Sequence, residues 1–429
     1  MTILVDSEIG RLRRVLVHRP GQEIDWMVPS MMERLLFDDI LDGDQARCEH
    51  DNFCRVLQAG GVSILDPEQL LVAVMEKSDA RQQVFETLQQ DYGLSAEHCR
   101  PLADLSPAQL ARTLIYGIRH EGYPLVGQER RFFEMDPLSN YFFQRDPQLV
   151  IGDRVILSAM ATEAREREPF LSWLLFRHHP ELAGYRDCFD MDEDWPTSWA
   201  PGREADFPYP ELEGGDVLVV NRKVLMVGMS ARTNVQGVEL LAEYLRSQES
   251  SFEHIVLVQL PARRSYMHLD TVFTFIDHNT CLGFLPVVEP GRSQSARVYL
   301  VDLHAEQLAF APRRSVRQAL AELGVEIDIV PCGGSDDLVA QQREQWTDGA
   351  NSFAIAPGVI LLYRRNRRTL EELKRRGWRV LSDEEVLGGG IELLGQGPTV
   401  VSLHDNELSR ARGGPHCMTM PLERDPVAG

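Results

Sequence analysis

The chain contains no run of about 18 apolar residues, so no segment reads as a membrane span. Its opening stretch, MTILVDSEIGRLRRVLVHRP, lacks the charged-then-apolar layout of a secretion signal. Basic residues are in deficit: 44 Lys and Arg stand against 65 Asp and Glu, a formal net charge of −21. That balance argues against nucleic acid or an anionic membrane as a general partner, but it would not repel a small cation such as a guanidinium. The seven cysteines (48, 54, 99, 188, 281, 332 and 417) are scattered, odd in number and free of any C-x-x-C pair. A chain of 429 residues needs no disulfides, so a reduced, cytoplasmic protein is expected. The G-x-S-x-G elbow of a serine hydrolase is absent, and the glycines at 388–390 lack the G-x-G-x-x-G layout of a dinucleotide site. Cys48, His50 and Cys54 fall within one helical stretch with no fourth partner nearby, so no metal is expected there.

What is present is an ordinary globular composition, 43% hydrophobic and 25% charged, in a chain long enough for one large domain or two to three smaller ones. Residues 12–18 read as a first strand closed by Pro20. Residues 44–60 read as a helix with Phe53, Val56 and Leu57 on one face and Gly60-Gly61 at its end, and 62–65 as a short strand. From 67 to about 125 the apolar residues recur at helical spacing. Ser106-Pro107-Ala108-Gln109 is a capping box with proline at the first helical position, so this stretch is expected to be a helical insertion. A module then recurs: two short strands around a tight turn, often followed by a helix and a further strand. Its turns fall at Gly152-Asp153, Asn221-Arg222, His278-Asn279 and Pro357-Gly358. With the N-terminal segment this makes roughly five units of an α/β chain, a repeat of architecture that could close around a pseudo-symmetry axis and protect its edge strands.

The chemically suggestive residues stand at the mouths of these hairpins. Asn140 to Pro147 (NYFFQRDP) opens the first, Glu213-Gly214-Gly215-Asp216 the second and Met267-His268-Leu269-Asp270-Thr271 the third. His268 and Asp270 are two apart before a strongly β segment, which predicts both side chains on one face; a His beside an Asp is a poised proton carrier. Asp146 follows Arg145, so a structural Arg145–Asp146 pair is an alternative to a functional carboxylate. Near the C-terminus, Cys417 stands behind Gly413, Gly414 and Pro415, wording suited to a tight turn that offers a thiol to a cleft. Arg410 and Arg412 just upstream suggest a lowered thiol pKa or a held anion. Carboxylates, a His and a Cys suit a flat cation: anionic clamps for its nitrogens, a soft nucleophile for its central carbon and a proton for its departing amine.

These segments together resemble the arginine deiminase family of guanidine-modifying enzymes. The matching phrases are FDDIL (37–41), N-x-x-F-x-R-D-P (140–147), A-R-x-R-E (164–168), EGGD (213–216), G-x-S-x-R-T (228–233), MHLDTVFT (267–274), REQW-x-DG-x-N (343–351), IAPGVILLYRRN (355–366) and R-GGPHCM-x-MP (412–421), in family order over nearly the whole chain. The resemblance implies a single catalytic domain (1–429) of the pentein fold, a five-bladed pseudo-symmetric α/β propeller with the 67–125 insertion inside it. It implies Cys417 as nucleophile, His268 as general acid and then base, Asp146 and Asp270 as the carboxylates gripping the guanidinium, and Glu213 as the acid that orients His268. Asn140, Arg165, Arg232 and Arg412 match positions that handle the substrate's amino-acid end. The implied reaction converts L-arginine and water to L-citrulline and ammonia through a covalent thiouronium, with no metal and no organic cofactor. Gln144 and Ala411 depart from the commoner Thr and Gly, and the chain is extended around 187–210 and 387–403. The loops over the cleft therefore leave room for another guanidino compound or modified arginine, or for amidino transfer, as the alternative; a homo-oligomer is compatible with the sequence.

Overall fold

The computed structural model describes residues 2–120, 132–185, 188–194, 209–248 and 250–427. The expected strands form because each pairs a β-branched run with a turn residue suited to its position. Gln148–Ile151 and Arg154–Leu157 are antiparallel around Gly152, whose φ of 61° lies in the left-handed region. Val217–Asn221 pairs with Val224–Met229, Phe273–Asp277 with Thr280–Gly283, and Phe353–Ala356 with Val359–Tyr363, all antiparallel.

In every one of these hairpins the second strand also pairs in parallel with a later strand. The partners are Phe189–Asp190, His254–Gln259, Asp328–Pro331 and Thr399–Leu403 respectively. The N-terminal unit repeats the pattern across the ends of the chain. Leu12–Leu16 is parallel to Ser63–Leu65 and antiparallel to Met420–Arg424, so the last strand completes the first sheet. That pairing carries the Cys417 turn to the same end of the molecule as the hairpin mouths.

Helices fill the connections. Gly43–Ala59 starts at Asp42, whose carboxylate accepts the Gln45 N–H, and buries Phe53, Val56 and Leu57. Val235–Ser247 is capped by Asn234 and buries Val238, Leu241 and Leu245. The stretch from 67 carries four helices, Pro67–Met75, Ser78–Gln90, Ala96–Ala103 and Pro107–Tyr116; the last has both hydrogen bonds of the Ser106–Gln109 capping box. Residues 121–125 of that stretch, and most of the extended region at 187–210, lie outside the described residues. The apolar faces of the four helices pack with the sheets at 148–157 and 217–229 in one cluster that includes Leu71, Leu114, Ile156 and Leu225. Among the described residues, no helix is long and apolar enough to cross a membrane.

One local expectation is corrected. His268 and Asp270 do not share a strand face, because Leu269–Thr271 is a 3₁₀ turn. Thr271 bonds back to the His268 carbonyl through both its N–H (3.2 Å) and its Oγ1 (2.6 Å), and Asp216 Oδ1 accepts the Leu269 N–H at 2.8 Å. A tertiary carboxylate thus fixes the turn, and the two side chains are aimed at different partners.

Candidate active site

His268 lies between two carboxylates. Its Nε2 is 2.8 Å from Glu213 Oε2 and its Nδ1 3.7 Å from Asp146 Oδ1. Burial alone would suppress the imidazolium, but the charges of Asp146, Glu213 and Asp216 outweigh it and raise the His268 pKa to about 10. Burial likewise opposes the Glu213 carboxylate, which Arg232 and His268 nevertheless hold below its ordinary range. Close approach requires a glycine at 215: a Cβ there would meet the His268 ring at 2.8 Å and Asp146 Oδ1 at 2.9 Å. Asp146, Glu213 and His268 have the donor atoms of a metal site, all within 4.8 Å of one another. The Glu213–His268 hydrogen bond and the raised basicity of the ring give the trio an equally complete account as a proton-transfer unit.

Cys417 sits opposite. Its Sγ is 3.5 Å from Asp270 Oδ2, and Asn351 Nδ2 donates to the sulfur at 3.2 Å. Burial, then Asp270, Asp146 and Asp348, push the thiol pKa well above its usual value. This corrects the expectation that nearby arginines lower it. Arg410 is engaged by Asp39 and Glu407, while the Arg412 guanidinium lies 3.4 Å over the Trp346 ring. The glycines ahead of the thiol are also used differently from expectation. Neither Gly413 nor Gly414 has a positive φ; a Cβ at 413 would strike the Phe143 ring at 2.2 Å, so close packing is what the tail requires there. The left-handed residue is Arg412 itself, at φ 67°.

Behind the thiol is a chain of contacts that the sequence did not single out. Asp270 Oδ2 is 2.9 Å from His416 Nδ1, and His416 Nε2 is 3.1 Å from Glu8 Oε2. Burial works against both carboxylates, yet the His416 hydrogen bonds keep Asp270 and Glu8 lowered, Glu8 to about 2. His416 and Asp216 lie inside the R-GGPHCM-x-MP and EGGD phrases, which could have flagged them, whereas Glu8 carries no sequence signal.

The four remaining candidates are also near the center. Asn140, Arg165, Arg232 and Arg412 line one cavity with Asp146, His268 and Cys417. Arg165 is heavily committed: Nη1 donates to Asp146 Oδ2 at 2.6 Å, and Nε and Nη2 reach Glu168 at 2.7–3.0 Å. Asp146 is therefore paired with Arg165, while Arg145 turns away toward the His416 carbonyl. Arg232 Nη1 stands 3.6 Å from Glu213 Oε1, and Asn140 Nδ2 donates to the Leu35 carbonyl at 2.8 Å. Two of the three non-glycine residues with positive φ among the described residues, Leu36 and Arg412, line this cavity. Its free volume is about 30 Å³, enough for one water molecule, while a cavity of about 650 Å³ lies just beyond Arg412 and Trp346.

Two buried oxygens distinguish the center: Asp146 Oδ1 and Asp270 Oδ1 have no hydrogen-bond partner among the described residues. Unpaired carboxylate oxygens are costly; Asp146 lines the cavity, whereas Asp270 is fully buried beside Cys417 Sγ and is not among the residues that line it.

The arginine deiminase family model matches residues 33–424. An arginine deiminase from Listeria innocua is 35% identical over 98% of this chain and 98% of its own, and one from Clostridium perfringens is 34% identical over 98% of each. Among solved structures, an amidinotransferase of a saxitoxin biosynthetic pathway, from Microseira wollei, superposes with a TM-score of 0.52 at 14% identity. It covers 99% of this chain and 98% of that one. A dimethylarginine dimethylaminohydrolase adduct with S-methyl-L-thiocitrulline gives 0.50 at 15% identity, with 96% and 99% covered. At such identities these two likenesses establish a shared α/β fold, and the full-length sequence matches establish that the chain belongs to the arginine deiminase family.

Proposed function

We propose that this protein is an arginine deiminase, hydrolysing L-arginine to L-citrulline and ammonia through a thiouronium ester on Cys417. The observation that carries the proposal is the pair of unpartnered buried oxygens, Asp146 Oδ1 and Asp270 Oδ1, in a center that also holds Cys417 Sγ. The guanidinium nitrogens donate to these oxygens, and the cation offsets the negative charge that otherwise opposes a thiolate at Cys417. The thiol proton is released to solvent as the thiolate forms, and Sγ attacks the guanidinium carbon. The His268 imidazolium donates its proton to the departing amine, and ammonia leaves. The neutral ring then takes a proton from water, whose hydroxide adds to the thiouronium carbon. Collapse to the carbonyl expels Sγ as thiolate and releases the hydroxyl proton. Glu213 fixes the orientation of the ring through Nε2. Nucleophile, acid and base are all side chains of this chain, so no metal or organic cofactor is assigned.

Asn140, Arg165, Arg232 and Arg412 take the substrate's amino-acid end in this proposal. Arg232 is the principal carboxylate partner, since Arg165 must first share or release Asp146 and Glu168. The free volume at the site is smaller than an arginine side chain, so substrate entry in this proposal requires side chains of the cavity wall to shift. Five of the six sheets among the described residues, all but the two-stranded pairing of Ile118–Arg119 with Phe133–Met135, close in this proposal into a five-bladed ring with 67–125 as an insertion in one catalytic domain, a reading that the repeated hairpin-plus-parallel-strand pattern supports. The test is product analysis by mass spectrometry after incubation with L-arginine. Citrulline and ammonia in equal amounts are expected. Transfer of the amidino group to an added amine, or no reaction with L-arginine alongside turnover of another guanidine, would overturn it.

A further inference from the structure

The matched phrase at 343–351 ends in Asn351, which the proposed mechanism does not use. It follows the helix Leu338–Trp346 and precedes the strand Phe353–Ala356, and it is fully buried. Both neighbors are pinned by Thr274, whose Oγ1 donates to the Ala350 carbonyl at 2.7 Å and lies 2.8 Å from Ser352 Oγ. Its own N–H donates to the Asp348 carbonyl at 3.0 Å, across a left-handed Asp348 at φ 63°. The side chain is thus held on a fixed backbone beside the nucleophile.

Its amide makes four contacts. Oδ1 accepts the backbone N–H groups of His416 (3.1 Å) and Cys417 (3.3 Å). Nδ2 donates to the Asp270 carbonyl (3.1 Å) and to Cys417 Sγ (3.2 Å). The orientation of the amide follows from these partners: two N–H groups demand the oxygen on one side, which leaves the NH₂ facing the sulfur. Gly414 makes room for this, since a Cβ there would come within 2.5 Å of Asn351 Oδ1. Around the sulfur, burial and the carboxylates of Asp270, Asp146 and Asp348 oppose a thiolate, while a backbone hydrogen bond at Gly414 favours it.

We propose that Asn351 is a catalytic residue, a neutral donor that stabilises the Cys417 thiolate both when the sulfur attacks and when it is expelled. The proposal rests on Cys417 being the nucleophile. No proton moves to or from the amide: it keeps one N–H on the sulfur while the S–C bond forms and again while that bond breaks. A neutral donor suits this place, because a lysine so close to the sulfur would pair with Asp270 and compete with the guanidinium for it.

The test uses Asn351→Asp, which keeps an oxygen for the His416 and Cys417 N–H groups but puts an acceptor where the NH₂ was. Asn351→Leu, which removes the donor without adding charge, covers the case in which the aspartate variant is protonated or fails to fold. The readout is the rate of Cys417 alkylation by iodoacetamide at fixed pH, followed on the Cys417 peptide by mass spectrometry, since the chain holds six other cysteines. Loss of a hydrogen bond to a charged acceptor moves the thiol by about one to two pKa units, so alkylation slows about 10- to 100-fold. Turnover falls in parallel, with KM within about threefold of the parent because Asn351 does not grip the substrate. A purely structural role predicts the opposite sign, since a loosened pocket exposes the sulfur. Alkylation that slows by less than about fivefold in the variants that fold, or that speeds up, overturns the proposal. Cys417→Ser separates the two levels: full turnover in that variant removes the nucleophile assignment itself, whereas its inactivity together with unchanged alkylation in both Asn351 variants removes only the role of Asn351.

Discussion

Replacing Glu213 with glutamine removes one charge and almost no volume. Glu213 Oε2 is 2.8 Å from His268 Nε2, its Oε1 accepts the Ala161 N–H at 3.2 Å and faces Arg232 at 3.6 Å, and the residue is fully buried. In Glu213→Gln the amide oxygen still accepts from the imidazolium, but the charge assistance is gone. A hydrogen bond to a charged group is worth roughly 1.5–3 kcal/mol, which corresponds to about one to two pKa units on His268. Asp146 remains on the other nitrogen, so the ring falls from about 10 to roughly 8–9 and not to its free value. Protonated His268 is needed for ammonia release. The parent therefore keeps its acid through pH 9, whereas the variant loses roughly half to nine-tenths of it there. The assay is single-turnover adduct formation between pH 6 and 10, with the alkaline limb fitted. The same change shows in stability. A histidine raised from 6.5 to about 10 on folding contributes stability that is complete below pH 6.5 and is lost as pH rises toward 10. In the variant that loss finishes at lower pH. An alkaline limb that stays in place, with unchanged alkaline stability, would refute the assignment of Glu213 as the residue that holds the His268 proton.

Three further predictions rest on other contacts. Cys417→Ser is expected to lose nearly all turnover while binding L-arginine, because a hydroxyl is a poor nucleophile without an adjacent base; wild-type rates in a steady-state ammonia assay would contradict it. Arg232→Lys is expected to lower kcat/KM for L-arginine by roughly 100-fold while barely changing agmatine, which lacks the carboxylate; equal losses for the two would remove the clamp. His18 is buried between Asp66 (3.4 Å) and Glu23 (3.6 Å), which overcome desolvation and raise its pKa to about 10. His18→Gln is therefore expected to destabilise by up to roughly 5 kcal/mol near pH 6, with the gap narrowing toward pH 10 in urea unfolding; a gap independent of pH would show that the charge contributes nothing.

Much of this architecture is local in origin and so legible in the chain. The hairpins around Gly152 and Gly358 are announced by β-branched runs that meet at a glycine, and both glycines adopt positive φ. The helix ends at Asp42, Ser106 and Asn234 follow from side chains that bond their own first turn. What escaped was set by distant partners. The turn at His268-Leu269-Asp270 reads as strand, because the Asp216 carboxylate that closes it lies 53 positions upstream. Glu8 reaches His416 across 408 positions, and nothing near Glu8 marks it. Arg165 matches a substrate-binding position and has Glu168 three residues away as a local partner, yet its pairing with Asp146 emerges only in the fold. The thiol follows the same rule: sequence proximity puts arginines beside Cys417, whereas the fold surrounds it with carboxylates.

The most direct measurement is rapid-quench mass spectrometry of the Cys417 peptide during a single turnover of L-arginine, alongside the His268→Ala variant. The account predicts a transient increase equal to arginine less ammonia on that peptide, formed with ammonia and lost as citrulline appears. In His268→Ala, formation and hydrolysis of the adduct should both slow by about 100- to 10,000-fold. Citrulline produced at the normal rate with no adduct on Cys417, or an adduct that forms and decays normally without His268, would contradict it.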